Sequence, residues 1–164
     1  MGAARAIDRG EKVELMLLDP VPVRCPACGA RALVRAVPSD EPPRSRTGRR
    51  APSPFAALLG PHRLSCGSCG LVRTTETRRV TLHDDGHDPW FHAPVWFRAD
   101  TSAGVVWAYT ETHLRLLREW IAADQRECRI AGGWRSTLPR RLTAASARPV
   151  LLRAIDTMLA DAPV

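Results

Sequence analysis

Hydrophobic and polar positions divide the chain into two kinds of pattern. Residues 31–37, 62–65 and 71–82 are short and β-branched or alternating. In the last of these, Val72, Thr74, Glu76, Arg78 and Val80 face one way, and Leu71, Arg73, Thr75, Thr77, Arg79 and Thr81 the other. Period two with Val and Thr predicts strands. Residues 95–99 and 105–109 predict two further strands around the turn 100–104. Then the period changes. Leu114, Leu117 and Ile121 form a helical stripe, widened by Leu116 and Trp120. Thr110 is placed to cap this helix, and Glu111 and Arg115 to pair across one turn. The helix is expected to run to about residue 128, before Gly132-Gly133. Thr137-Leu138-Pro139 predicts a second helix start, and Pro149 a third, with Leu151, Ala154, Ile155, Met158 and Leu159 on one face.

Prolines punctuate the N-terminal half. Pro20 and Pro22 predict an extended approach to Cys25. Residues 38–61 hold Pro38, Pro42, Pro43, Pro52, Pro54 and Pro61, with Arg44, Arg46, Arg49 and Arg50 between them. This segment is too polar and too proline-rich to pack, apart from one apolar turn at 55–59.

The chemistry sits at two repeats of one motif, Cys25-Pro26-Ala27-Cys28-Gly29 and Cys66-Gly67-Ser68-Cys69-Gly70. Two intervening residues let both thiolates of a knuckle reach one ion. The following glycine supplies a positive φ that other residues resist. Cys25, Cys28, Cys66 and Cys69 together predict one structural four-thiolate zinc site, with no position left open for substrate. A rubredoxin-like iron site, a disulfide pair, and a cage in which His62 replaces one thiol are the alternatives. The gap of 37 residues between Cys28 and Cys66 exceeds that of a compact ribbon, and the 38–61 insertion accounts for the excess. Cys128, the fifth cysteine, has no partner at ligand spacing and reads as a bystander.

Charge adds a possible partner. The 164 residues carry a net +7, and arginine supplies all the positive charge except Lys12. Residues 24–79 alone hold 11 arginines against 3 acids, whereas 80–110 are net acidic. A local basic patch points to a polyanion. Arg31, Arg35, Arg63, Arg73, Arg78 and Arg79 fall on the expected ribbon strands and are candidates to contact nucleic-acid phosphates. A protein-interaction role for the ribbon and its insertion is the alternative.

Other candidates are weaker. His83, His87 and His92 lie near Asp84, Asp85 and Asp88, where a polar link outweighs a second metal site or a metal-dependent hydrolase. Trp90, Trp96, Trp107 and Trp120 read as core rather than as a stacking platform for bases. No phosphate-binding loop, nucleophile elbow or zinc-protease helix is present, and no enzyme activity is expected. The longest aliphatic run, Leu15 to Leu18, is too short to cross a bilayer, and acids around it argue against a signal peptide. A cytoplasmic protein is expected, with Met16 as an alternative start.

The chain resembles a family of small bacterial proteins described as transcription-factor-IIB-type zinc-ribbon-containing proteins. The paired knuckles carry the resemblance, together with Asp88-Pro89-Trp90-Phe91, Pro94-Val95-Trp96-Phe97, Val106-Trp107-Ala108-Tyr109-Thr110 and His113-Leu114. Leu138-Pro139 and Arg148 extend it. Thr110 stands where the family shows Asn, Arg141 where Trp is common, and Ala147 where Asn precedes the arginine. The resemblance implies a zinc ribbon with nucleic-acid or protein contacts, and carries no established activity. The expected architecture is α+β. A lead-in (1–23) precedes an antiparallel four-cysteine zinc ribbon (24–82, insertion 38–61). A linker (83–94) then leads to a small α/β unit (95–164) with a β-hairpin and about three helices.

Overall fold

The computed structural model describes residues 5–8, 16–38, 58–76, 80, 85–128, 142 and 144–162. Its centre is a four-stranded antiparallel sheet of β2 (Val21–Arg24), β3 (Arg31–Ala36), β4 (Pro61–Cys66) and β5 (Val72–Glu76), in chain order. β1 (Arg5–Asp8) precedes it. A hairpin of β6 (Phe97–Thr101) and β7 (Gly104–Ala108) follows, then helix α1 (Glu111–Ala122), β8 (Gln125–Cys128) and helix α2 (Arg148–Ala160). The class is α+β, with two helices among the described residues rather than about three. The start expected at Thr137 lies outside the described residues.

Alternation sets the faces of the sheet. Val21, Val23, Ala32, Val34, Leu64 and Cys66 point inward and are buried. Their cross-strand partners by register, Val21 with Val34, Val23 with Ala32 and Ala32 with Cys66, lie on the same side. The free edge of β2 is covered by residues 94–96. The Arg24 N–H donates to the Pro94 carbonyl at 2.8 Å, and the Trp96 N–H to the Pro22 carbonyl at 2.8 Å. Pro22 lacks an N–H and offers only its carbonyl, so this edge tolerates it. One buried cluster runs from Leu17 through Cys25, Cys66 and Val95 to Leu114, Leu151 and Ile155.

The sequence pattern places the start of α1. The Thr110 side chain accepts the His113 N–H at 3.2 Å, and Glu111 pairs with Arg115. His113, Leu114, Leu117, Trp120 and Ile121 are its buried residues. Its end differs from the expected residue 128. Arg126 donates to the Trp120 and Ile121 carbonyls at 2.8 and 3.1 Å, and Arg148 to the Ala123 carbonyl at 3.1 Å. These guanidinium groups satisfy the last carbonyls of the helix, so no glycine is needed there. The chain then turns into β8, which pairs in parallel with β1. α1 and α2 pack together, and Arg118 bridges to Asp156 at 2.6 Å. No helix among the described residues is long and apolar enough to cross a membrane.

The insertion joins β3 to β4. Ala36 pairs with His62, and the Val37 N–H donates to the Pro61 carbonyl at 2.8 Å, so its two ends are adjacent. The cysteines lie at the opposite end of these strands, about 17 Å away at strand rise. A long connection there leaves the cysteine geometry undisturbed. Leu58 and Leu59, at the end of the apolar turn expected at 55–59, are described; residues 55–57 are not.

Candidate metal centre and arginine face

Each knuckle is the turn of a hairpin, the first between β2 and β3 and the second between β4 and β5. The two are built alike. The Gly29 N–H donates to the Cys25 carbonyl at 2.8 Å, and the Cys25 N–H to the Ala30 carbonyl at 2.7 Å. The Gly70 N–H donates to the Cys66 carbonyl at 3.1 Å, and the Cys66 N–H to the Leu71 carbonyl at 2.9 Å. Gly29 and Gly70 have φ of 74° and 72°, the left-handed conformation expected of the residue after each second cysteine.

The four thiols converge. Cys25 and Cys66 are buried and Cys28 and Cys69 exposed, and all four sulfurs lie within 4.8 Å of one another. Cys25 Sγ is 3.7 Å from Cys69 Sγ, and Cys28 Sγ is 3.7 Å from Cys66 Sγ. A disulfide would need about 2.05 Å. A tetrahedron with metal–sulfur bonds of about 2.3 Å has edges of about 3.8 Å, so these separations fit four sulfurs around one ion. The cluster can therefore hold a metal ion.

Electrostatics shows what a cation would resolve. The Cys66 thiol is drawn down to about 6, first by the Cys69 N–H and also by the Ser68 N–H and the Cys25 and Cys69 thiols, against burial. The Cys28 thiol goes up to about 12. The Ala30 N–H lowers it, but the Cys69, Cys25 and Cys66 thiols and desolvation outweigh that donor. Cys66 ionises readily and Cys28 resists, because adjacent thiolates repel without a cation between them.

His62 does not join the cluster in place of a thiol. Its ring is buried, stacks on Trp90 at 3.7 Å, and places Nδ1 2.9 Å from the Gly60 carbonyl. Burial lowers its pKa, against that carbonyl. The Trp90 indole N–H donates to the Leu58 carbonyl at 3.2 Å. Trp120 is buried, and Trp90, Trp96 and Trp107 are partly buried against the core.

The candidate arginines divide. Arg35 lies directly opposite Arg63, and Arg31 opposite Arg24. These four share the outward face of the sheet and are exposed. Sequence reasoning omitted Arg24, because the faces follow from register rather than from composition. Its guanidinium lies 5.1 Å over the Trp96 ring. Arg73 pairs with Leu64 and so lies on the opposite side of the sheet, away from Arg35 and Arg63. Arg78 and Arg79 lie outside the described residues. A shallow cavity of about 340 Å³ opens beside Arg35 and Arg63, with Val37, Pro38 and Val72 on its walls.

The histidine region is more ordered than a polar link requires. Asp88 is fully buried. Its Oδ1 accepts the Trp90 and Phe91 N–H groups at 3.0 and 2.8 Å, and its Oδ2 the Ala93 N–H at 2.7 Å. Burial pushes its carboxyl up, and these three donors and His92 pull it back. His87 and His92 stack with ring centroids 4.5 Å apart, beside Asp85. His83 and Asp84 lie outside the described residues. No family model matches the chain, and no curated protein or solved structure matches it.

Proposed function

We propose that the chain is a non-catalytic binding module whose four cysteines hold one structural zinc ion and whose arginine face contacts nucleic acid. One observation supports the second half of this reading most directly. Arg35 and Arg63, and Arg24 and Arg31, are like-charge pairs directly opposite each other on one exposed face. Among the described residues no carboxylate forms an ion pair with Arg31, Arg35 or Arg63. Such pairs destabilise a sheet unless an anion lies across them. Phosphates spaced along a strand supply that charge repeatedly. A four-thiolate donor set favours zinc in a structural role, because the cage leaves no coordination position for substrate. The resemblance to bacterial zinc-ribbon proteins points the same way.

Salt-dependent binding tests the proposal. Four phosphate contacts on a single strand give a slope of log K against log salt near −2.8, at about −0.7 per contact. Fluorescence anisotropy of a labelled single-stranded oligonucleotide should show this slope. Arg35→Ala with Arg63→Ala should weaken binding and bring the slope to about −1.4. No binding at low salt, or an unchanged slope in the double variant, sinks the reading.

A protein-adaptor role is the second reading. It draws on β5, an edge strand of the sheet whose Val72 is 60% exposed. Partner capture that Val72→Lys abolishes while oligonucleotide affinity stays unchanged would favour it.

A further inference from the structure

We propose that Asp85, His87 and His92 form a second, open site for a divalent first-row transition cation of the zinc class, independent of the four-cysteine centre. Their donor atoms all lie within 4.8 Å of one another. His87 Nδ1 is 2.9 Å from Asp85 Oδ1, yet it is buried and makes no hydrogen bond. An imidazole paired with a carboxylate would aim its N–H at the oxygen. Here the nitrogen and oxygen stand side by side, at the separation of neighbouring ligands about one ion. Bonds of about 2.1 Å place adjacent ligands about 3.0 Å apart in an octahedron and about 3.4 Å apart in a tetrahedron. Two imidazoles and one carboxylate suit zinc, nickel and iron, and water fills the remaining positions.

The loop carrying these groups is braced. His87 and Pro94 form a β-bridge, and the Val95 N–H donates to the Gly86 carbonyl at 2.9 Å. Gly86 has φ of 77°, and a Cβ there would come within 3.0 Å of the Trp107 ring, so the backbone between Asp85 and His87 is pressed against that side chain. His92 has φ of 53°, the one non-glycine residue in the left-handed region among those described. That turn folds its ring onto His87, while Asp88 holds the loop from beneath. Arg98 donates to the Asp85 carbonyl, and its charge is met by Asp100 at 3.0 Å. His92 and Asp85 are exposed, so the ligand set opens to solvent.

The test uses protein that retains one zinc per chain, verified by metal analysis, titrated with further Zn2+. Calorimetry should show one additional equivalent. The ring ¹⁵N resonances of His87 and His92 should move and that of His62 should not. His92→Asn removes the imidazole and tolerates the left-handed backbone. It should weaken the second equivalent at least about tenfold, since even indirect contacts to a metal ligand are worth that much. The first equivalent and the melting temperature should be unchanged. Asp85→Asn, at an exposed position, should weaken the second equivalent in the same way and serves if His92→Asn fails to fold. Absence of a second equivalent, or a second equivalent that neither variant weakens, overturns the proposal.

Discussion

Replacing Asp88 by Asn should destabilise the protein by about 2 kcal/mol, although the two side chains have nearly the same shape. The carboxylate accepts three backbone N–H groups, two at Oδ1 and one at Oδ2. An amide has a single oxygen. If it faces Trp90 and Phe91, its NH2 opposes the buried Ala93 N–H; reversed, it opposes two donors. The better orientation loses one bond to a charged acceptor, about 1.5–3 kcal/mol, and strands a donor, about 1–3 kcal/mol. These overlap, and removing a buried charge returns part of the desolvation that pushes the Asp88 carboxyl up. Asp88→Ala strands all three donors and should cost about 3–5 kcal/mol. Urea unfolding of metal-loaded protein at pH 7, followed by tryptophan fluorescence, reads both. At a slope of about 2 kcal/mol per molar, the Asn variant should unfold about 1 M earlier. A shift below about 0.25 M, or an Asn variant less stable than the Ala variant, would refute the claim that this carboxylate organises the loop.

Burial pushes the His113 imidazole down to about 4. The unfolded chain therefore binds a proton near pH 6.5 that the folded chain refuses, so stability falls on acidification, by about 2 kcal/mol between pH 7.5 and 5. In His113→Asn, whose side-chain oxygen can still accept the Tyr109 N–H, that part of the slope should vanish. Equal slopes in the two proteins would contradict it, and His62, depressed in both, cancels in the difference. Chelation of the metal should expose the backbone amides of strands β2 to β5 to hydrogen exchange while those of α1 and α2 stay protected, and Cys66→Ser should do the same. A stripped protein with an unchanged melting curve would remove the structural role of the centre.

The parts legible in the sequence were those in which local chemistry decides. The knuckle spacing with its following glycines, the Thr110 cap, the α1 stripe and the alternation of β5 each need only neighbours in the chain. What escaped depends on distant partners. The end of α1 is set by Arg126 and Arg148, and β8 exists because β1, more than 100 residues earlier, pairs with it. Alternation separated Arg73 from Val72 and Thr74, but only the pairing of Arg73 with Leu64 shows that it faces away from Arg35. In the sequence Asp88 is one acid of a polar link; its burial follows from the fold-back that brings Ala93 to its second oxygen.

The four-cysteine cluster and the arginine face share the register of one sheet. A slip of one residue in β3 against β4 would carry Arg35 to the core side and Val34 outward. Strands of four to six residues have little pairing energy to resist it, and the like-charge pair Arg35–Arg63 weakens that pairing further. A metal ion held by the four sulfurs, two from each hairpin turn, would fix the register at one end, because only the native pairing brings both knuckles together. On the proposed function, an anion across Arg35 and Arg63 relieves repulsion that otherwise works against the same folded state. Both ligands then favour one register, and by linkage each tightens the binding of the other. Zinc should therefore be harder to chelate from protein saturated with oligonucleotide, and the difference should shrink as salt rises. Equal zinc affinities with and without oligonucleotide, measured by competition with a chelator, would show that the two sites share a sheet but no free energy.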